Sequence, residues 1–188
     1  MVLLSRIGGG PGQENIQGAT MPGHQSFDIT SGCDLQEVDN AVNQALKEIN
    51  QRYDFKGQKV GIEFVRSEGK LILRGPDDFK IRAMWEILQQ KMIRRHVPFR
   101  NLHPGKMMPA GGGTVTQEVL LQQGIPIETA RGIVKFLKQK KLKKVQAEIQ
   151  GDQVRVSSPS RDELQRVIGL LREQDYGIEL RFGNYRTF

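Results

Sequence analysis

The chain holds one cysteine in 188 residues. Cys33 thus has no partner for an intramolecular disulfide. With no second Cys and no His at ligand spacing beside it, it fits neither a metal site nor a redox pair, and a partly buried, inert thiol is expected. Long apolar runs are absent too. Nothing approaches the ~20 apolar residues that cross a bilayer, and the opening Met1-Val2-Leu3-Leu4 is cut short by Ser5 and Arg6 before a secretory core develops, so no membrane partner and a cytoplasmic location are expected.

Catalytic constellations are missing as well. His24, His96 and His103 are scattered and match no zinc spacing with carboxylates or Cys. Ser157, Ser158 and Ser160 have no base that can be placed beside them and read as turn and cap residues. Asp77 and Asp78 open a helix, where carboxylates favour the dipole. No glycine-rich loop runs into Lys-Ser or Lys-Thr, and Gly8 to Gly12 follows no strand, which excludes a P-loop and a dinucleotide fingerprint. No catalytic residue, metal ligand or cofactor is expected; the chain reads as a binding protein, not an enzyme.

Basic charge is plentiful. The formal net charge is +7, and its distribution is uneven. No Asp or Glu occurs from Ile87 to Gln117, where Lys91, Arg94, Arg95, Arg100 and Lys106 lie, and Arg131 to Lys144 holds seven basic residues and no acid. Such charge permits attraction to polyanions but does not choose among them. In the second segment Arg131, Lys135 and Lys138 fall opposite Ile133, Val134 and Leu137, as on a solvated helix face; delocalised attraction to phosphate backbones is the other reading.

Residues 1–23, with Gly8, Gly9, Gly10, Gly12 and Gly18 among them and little periodicity, recover too little burial to offset ordering and read as a mobile extension, with Met21 an alternative start. Gln25 to Thr30 alternates as a strand. Asp34 with Glu37 caps a helix carrying Leu35, Val38, Val42, Ala45, Leu46 and Ile49. Val60, Ile62 and Phe64, the break at Ser67-Glu68-Gly69, then Leu71 and Leu73 make a hairpin, and Pro76-Asp77 opens a second helix. A weak strand is expected around Asn101 to Met107. Gly105 to Gly113 reads as a flexible connector and the seam between two units.

The pattern then repeats: a strand over Val115 to Gln122, a helix after Pro126, a hairpin through Gly151-Asp152, a helix capped by Ser160 with Glu163, and a last strand over Ile178 to Phe182. The doubled order predicts an α+β fold of two ferredoxin-like βαββαβ domains, each a four-stranded antiparallel sheet with two helices on one face and the other face open. The boundaries expected are 24–108 and 109–188, with strand exchange between the halves left open.

Four segments carry a family resemblance: Ser26-Phe27-Asp28-Ile29, Arg52-Tyr53-Asp54-Phe55-Lys56-Gly57, the run from Gln150 to Gln165, and Asn184-Tyr185-Arg186. In this order they resemble the YajQ family over about residues 24 to 186. The resemblance implies two ferredoxin-like domains and a nucleotide-binding protein, with RNA binding and cyclic dinucleotide binding both proposed within the family, and it implies no catalysis. The glycine-rich extension, Gly111-Gly112-Gly113 and Lys140 to Lys144 depart from the pattern.

Nine residues are candidates for a nucleotide site. Arg52, Tyr53, Phe55 and Lys56 mix two rings with two cations, which suits a base and a phosphate, or else a helix end packed on a sheet. Arg155 lies between Val154 and Val156, so it points to the open sheet face beside Gln153 and Ser157, where a phosphate contact and a cross-strand pair are both open. Arg161 starts a helix whose free amides favour anions. Asn184, Tyr185 and Arg186 bring an amide, a ring and a guanidinium near the end of the chain, for a nucleotide or for terminal packing. The outward aromatics of an RNA-recognition motif are missing from both hairpins. The expected ligands are thus GTP, ATP, a cyclic dinucleotide or RNA. A cyclic di-GMP receptor acting on a protein partner, or an interaction scaffold whose sheet edges pair with another protein, stands as the alternative.

Overall fold

Phe27 and Ile29 alternate with Ser26 and Asp28, and this period of two makes Gln25–Thr30 a strand, β1, with both large apolar side chains fully buried. The computed structural model describes residues 23–188; the extension and the alternative start at Met21 fall outside the described residues. After β1, Asp34 accepts hydrogen bonds from the Gln36 and Glu37 amides at 2.8 and 3.3 Å and so starts α1 (Leu35–Gln51). Val38, Ala41, Val42, Ala45 and Ile49 recur on one side of that helix and are buried. β2 (Gly61–Val65) and β3 (Lys70–Gly75) form a hairpin, and Asp77 caps α2 (Asp78–Arg94) through the Lys80 amide at 2.8 Å. β4 (Leu102–Ala110) and β5 (Thr114–Leu121) follow. α3 (Ile127–Gln139), β6 (Gln146–Gln150), β7 (Gln153–Ser158), α4 (Arg161–Arg172) and β8 (Arg181–Thr187) complete the order.

Two four-stranded antiparallel sheets result, ordered β2-β3-β5-β4 and β6-β7-β1-β8. α1 and α2 cover one face of the first around Leu71, Leu73, Met84 and Leu88; α3 and α4 cover one face of the second around Phe27, Val154, Val156 and Ile133. The fold is thus α+β with two ferredoxin-like units.

The chain does not divide between residues 108 and 109, because the central strands are exchanged. β1 pairs with β7 and β8 in the sheet of the C-terminal half, while β5 takes the central place beside β3 and β4 in the other sheet. One unit is therefore inserted into the other: the chain leaves β1 at Ser31 and returns to that unit at Gly124. The expected connector over Gly105 to Gly113 is instead the end of β4 and its hairpin turn. Gly112 and Gly113, at φ +70° and +69°, supply the left-handed geometry of that turn. Pro104 and Pro109 are tolerated because β4 is an edge strand with a register shift between Pro104 and Met107. Composition pointed to a linker; a ladder with β5 decides otherwise. The last strand also lies later than Ile178 to Phe182, since its pairing with β1 begins at Arg181 and runs to Thr187.

Both crossings between units are locked at one place. Asn101 is fully buried. Its Nδ2 donates to Ser31 Oγ at 2.9 Å and to the Gln122 carbonyl at 3.1 Å, and its Oδ1 accepts from the Glu179 amide at 2.8 Å. Beside it, the Gln123 side chain closes a pair with the Cys33 backbone, both bonds 3.2 Å long, and the Gly124 amide donates to the Ser31 carbonyl at 2.9 Å. A Cβ on Gly124, at φ +69°, would sit 2.5 Å from Asp152 Oδ2, so only glycine fits the return crossing. Asn101→Ala strands two acceptors and one donor at this seam, at about 1–3 kcal/mol for each group left buried and unpaired. The variant is expected to lose about 3 kcal/mol in urea denaturation, with both sheets affected.

Candidate functional site

On the open face of the second sheet, the alternation that buries Phe27 and Ile29 forces Asp28 to the other side, yet it is only 2% exposed. Arg155 lies directly across the β1–β7 ladder and grips it with two hydrogen bonds, Nε to Oδ1 at 2.8 Å and Nη2 to Oδ2 at 3.1 Å. Asn184 donates its side-chain amide to the second carboxylate oxygen. It reaches there because β8 shifts register opposite Phe27, with Asn184 in the left-handed region at φ +53°, a conformation asparagine tolerates. The Arg155 guanidinium holds the Asp28 carboxyl below the ordinary carboxylate range against the upward push of burial, with Asn184 and the charge of Arg186 assisting. Arg155 is therefore neutralised by a protein carboxylate, with its Nη1 edge outside that pair.

A second arrangement lies at the helix-covered side of the same sheet. The Ser158 hydroxyl accepts from the Ser160 amide at 3.1 Å, and the Ser160 hydroxyl accepts from the Glu163 amide at 3.3 Å, which fixes the start of α4. A cleft of about 330 Å³ opens between that helix start and the ends of β1 and β8, lined by Gln25, Ser26, Arg161, Gln165, Tyr185 and Arg186 among others. Tyr185 leans on Phe27 with ring centroids 5.9 Å apart and stays 60% exposed. The Ser26 hydroxyl is buried without a partner among the described residues. Arg161 and Arg186 form no ion pair among them. The cleft thus combines two guanidiniums outside any ion pair among the described residues, a ring with free surface and a helix start.

The third group, Arg52 to Lys56, belongs to the other unit. Tyr53–Phe55 form a single 3-10 turn after α1. Phe55 is 3% exposed and part of the core, so it offers no stacking surface. Arg52 is held by Asp54 at 2.9 and 3.1 Å, and the Lys80 ammonium sits 4.9 Å from the Phe55 ring centre. Tyr53, at 90% exposed, and Lys56 remain open. The nine candidates thus fall into three groups: Arg52 to Lys56 on the inserted unit, Arg155 with Asn184 on an open sheet face, and Arg161 with Tyr185 and Arg186 in the cleft. Sequence reasoning missed Asp28, Ser26 and Gln165. Asp28 had a signal, an acid at the centre of a strand whose neighbours both face a core. Cys33 is buried, and burial pushes its thiol up to about 11.

This fold and these sites define a two-unit α+β protein with a cationic cleft at a helix start. The profile of the family described as "Nucleotide-binding protein YajQ-like" matches residues 25–186, and the chain belongs to that family. It is 51% identical over 162 residues to a "Nucleotide-binding protein" of Solibacter usitatus, covering 86% of this chain and 97% of that protein. A "Nucleotide-binding protein" of Carboxydothermus hydrogenoformans is 47% identical over 166 residues, covering 88% of this chain and all of that protein. A third relative of that name, from Desulfitobacterium hafniense, is 51% identical over 161 residues. No described helix is long and apolar enough to cross a membrane.

Because the folded state lowers the Asp28 pKa, its ion pair contributes stability that is fully present above the ordinary carboxylate value of 3.8 and fades as pH falls through the lower folded value. Arg155→Met leaves the carboxylate buried without its guanidinium, which is expected to cost about 3–5 kcal/mol at pH 7. Urea midpoints from pH 7 down to pH 2 should show the gap between wild type and variant narrowing in acid, as Asp28 protonates. A gap independent of pH would mean that the pair does not carry the effect.

Proposed function

We propose that the chain binds a nucleotide without turning it over, in the cleft between the start of α4 and the end of β8. One observation carries this reading: Arg161, Arg186, Tyr185 and Gln165 line a single cleft. The two guanidiniums and the first amides of α4 suit phosphate oxygens, because guanidinium offers paired donors and the helix start concentrates free N–H groups. The exposed face of Tyr185 suits a base, whose stacking is worth about 1–3 kcal/mol. Gln165 adds a polar partner for a sugar or a base edge. Membership of a family described as nucleotide-binding, and three relatives bearing that name, support the ligand class.

Arg155 enters this reading as a positioning residue. It fixes Asp28, and Asp28 fixes Asn184, whose side-chain oxygen lies 3.4 Å from Nε of Arg186. Arg52 is likewise committed to Asp54. A nucleic acid strand would engage more of the cationic surface than a mononucleotide and would lose affinity steeply with salt. A GTP, ATP or cyclic dinucleotide site built on two arginines and one ring should tolerate physiological salt better.

Calorimetric titration with GTP, ATP, cyclic di-GMP and a short RNA, at low and physiological salt, separates these ligands. Saturable, salt-tolerant binding of one small nucleotide is expected, weakened about tenfold or more by Tyr185→Ala and by Arg161→Ala, with Tyr53→Ala neutral. Binding that survives both cleft substitutions would remove the cleft from the reading. RNA binding that vanishes with salt, with no small nucleotide bound, would reduce it to polyanion attraction.

A further inference from the structure

β6 lies at the outer edge of the second sheet, bonded to β7 on one side only. Two other edges carry devices that discourage an added strand: β4 has Pro104, Pro109 and a register shift, and β8 has a register shift with Arg181 and Arg186 along it. Prolines, irregularities and edge charges are how natural sheets avoid new pairings. β6 reads Gln-Ala-Glu-Ile-Gln, with no proline and a regular ladder. β2, the fourth edge, is also plain, and the surroundings set β6 apart.

Two hollows, of about 460 and 550 Å³, run beside β6 and share Lys138. The first joins half-buried Val134 and Ile149 to exposed Lys135 and Lys138. The second joins Leu142, Val145 and Ala147 to Lys138 and Lys141, with Glu148 at its border. Arg131 is committed to Glu128 at 2.6 Å, but none of Lys135, Lys138 and Lys141 is in an ion pair among the described residues. A plain strand edge, a half-buried apolar strip and a row of unpaired ammonium groups thus lie side by side.

These three features together select the occupant. A second copy docked edge to edge would set the lysines against their own counterparts, which repels. A nucleic acid strand would use the lysines but leave the backbone edge and Val134 and Ile149 without a role. An acidic, extended protein segment uses all three.

We propose that β6 accepts an added strand from an acidic partner protein, going beyond nucleotide binding. The segment hydrogen-bonds to the free edge of β6. On the side turned toward α3 it presents carboxylates to Lys135, Lys138 and Lys141 and an apolar side chain to Val134 and Ile149. Charge complementarity sets its class and speeds encounter, and main-chain pairing supplies the affinity.

The test uses the full chain, isotope-labelled, with the peptide acetyl-Thr-Glu-Thr-Val-Thr-Glu-Thr-amide, the same peptide with alternate backbone amides N-methylated, and a short oligouridylate. The expected result is saturable binding that slows amide exchange within Gln146–Gln150, is abolished by N-methylation on the pairing edge, and weakens about tenfold in a Lys135→Glu/Lys138→Glu variant. Both lysines are exposed, so the variant should keep its fold, checked by an unchanged urea midpoint. Binding of the N-methylated peptide equal to that of the unmethylated one would overturn strand addition. Unchanged exchange at β6 with the peptide, while oligouridylate perturbs the α3 lysines, would assign the face to phosphate backbones and overturn the proposal as well.

Discussion

Each sheet of this protein receives a central strand across a unit boundary, and most of its architecture follows from that exchange. β1 is made first in the chain but completes a sheet whose other three strands begin at residue 146. The inserted unit must close β5 against β3 and β4 before the chain returns. The core of the second sheet is not complete until residues more than a hundred positions apart have met, Phe27 and Ile29 with Val154 and Val156, which places a heavy loop-closure cost on the fold. Fixing the two crossings beside one another offsets part of it. Asn101, Ser31, Gln122, Gln123 and Glu179 bind both crossings through a shared network, so the units are joined at a buried polar seam and not by a free linker.

The same exchange builds the candidate site. Arg155 and Asp28 are 127 residues apart and meet only because β1 lies beside β7. Placing β8 on the other side of β1 brings Tyr185 onto Phe27 and Arg186 opposite Ser26. A cleft assembled from two sheet strands and a helix start is held by ladders on both sides, which suits a ligand site better than a mobile loop does. The register shift in β8 serves both faces of that strand: it releases Asn184 to Asp28 on the open face while Tyr185 lines the cleft.

Local pattern made the elements legible. The period-two valines at 154 and 156, the Asp34 and Ser160 caps and the helical spacing of α1 and α4 all describe what each segment does with its neighbours along the chain. Strand partners are different, because alternation says that a strand has a buried face but not which sheet buries it. β1 and β5 have similar patterns, so the exchange could not be chosen from sequence. The Gly105 to Gly113 segment misled for a related reason: glycine and proline mark flexibility only where no ladder competes, and β5 competes. At the site, Arg155 was placed on the correct face, yet its commitment to Asp28 was hidden in a strand far upstream. Phe55 reads as a stacking ring by type and is core by environment.

Cation count is therefore a poor guide to where this protein attracts anions. Of the formal excess of +7, a guanidinium such as Arg155 or Arg52 adds nothing local, since Asp28 and Asp54 sit within hydrogen-bond distance of them. Attraction at short range falls to cations with no carboxylate beside them, because a neighbouring opposite charge cancels most of the field within a Debye length of about 8 Å. Among the described residues Arg161 and Arg186 form no ion pair at the cleft, nor do Lys135, Lys138 and Lys141 beside β6. The first pair flanks an exposed ring; the second group flanks a strand edge and an apolar strip. Charge draws an anion to both places, and the uncharged neighbours determine which kind of anion can stay.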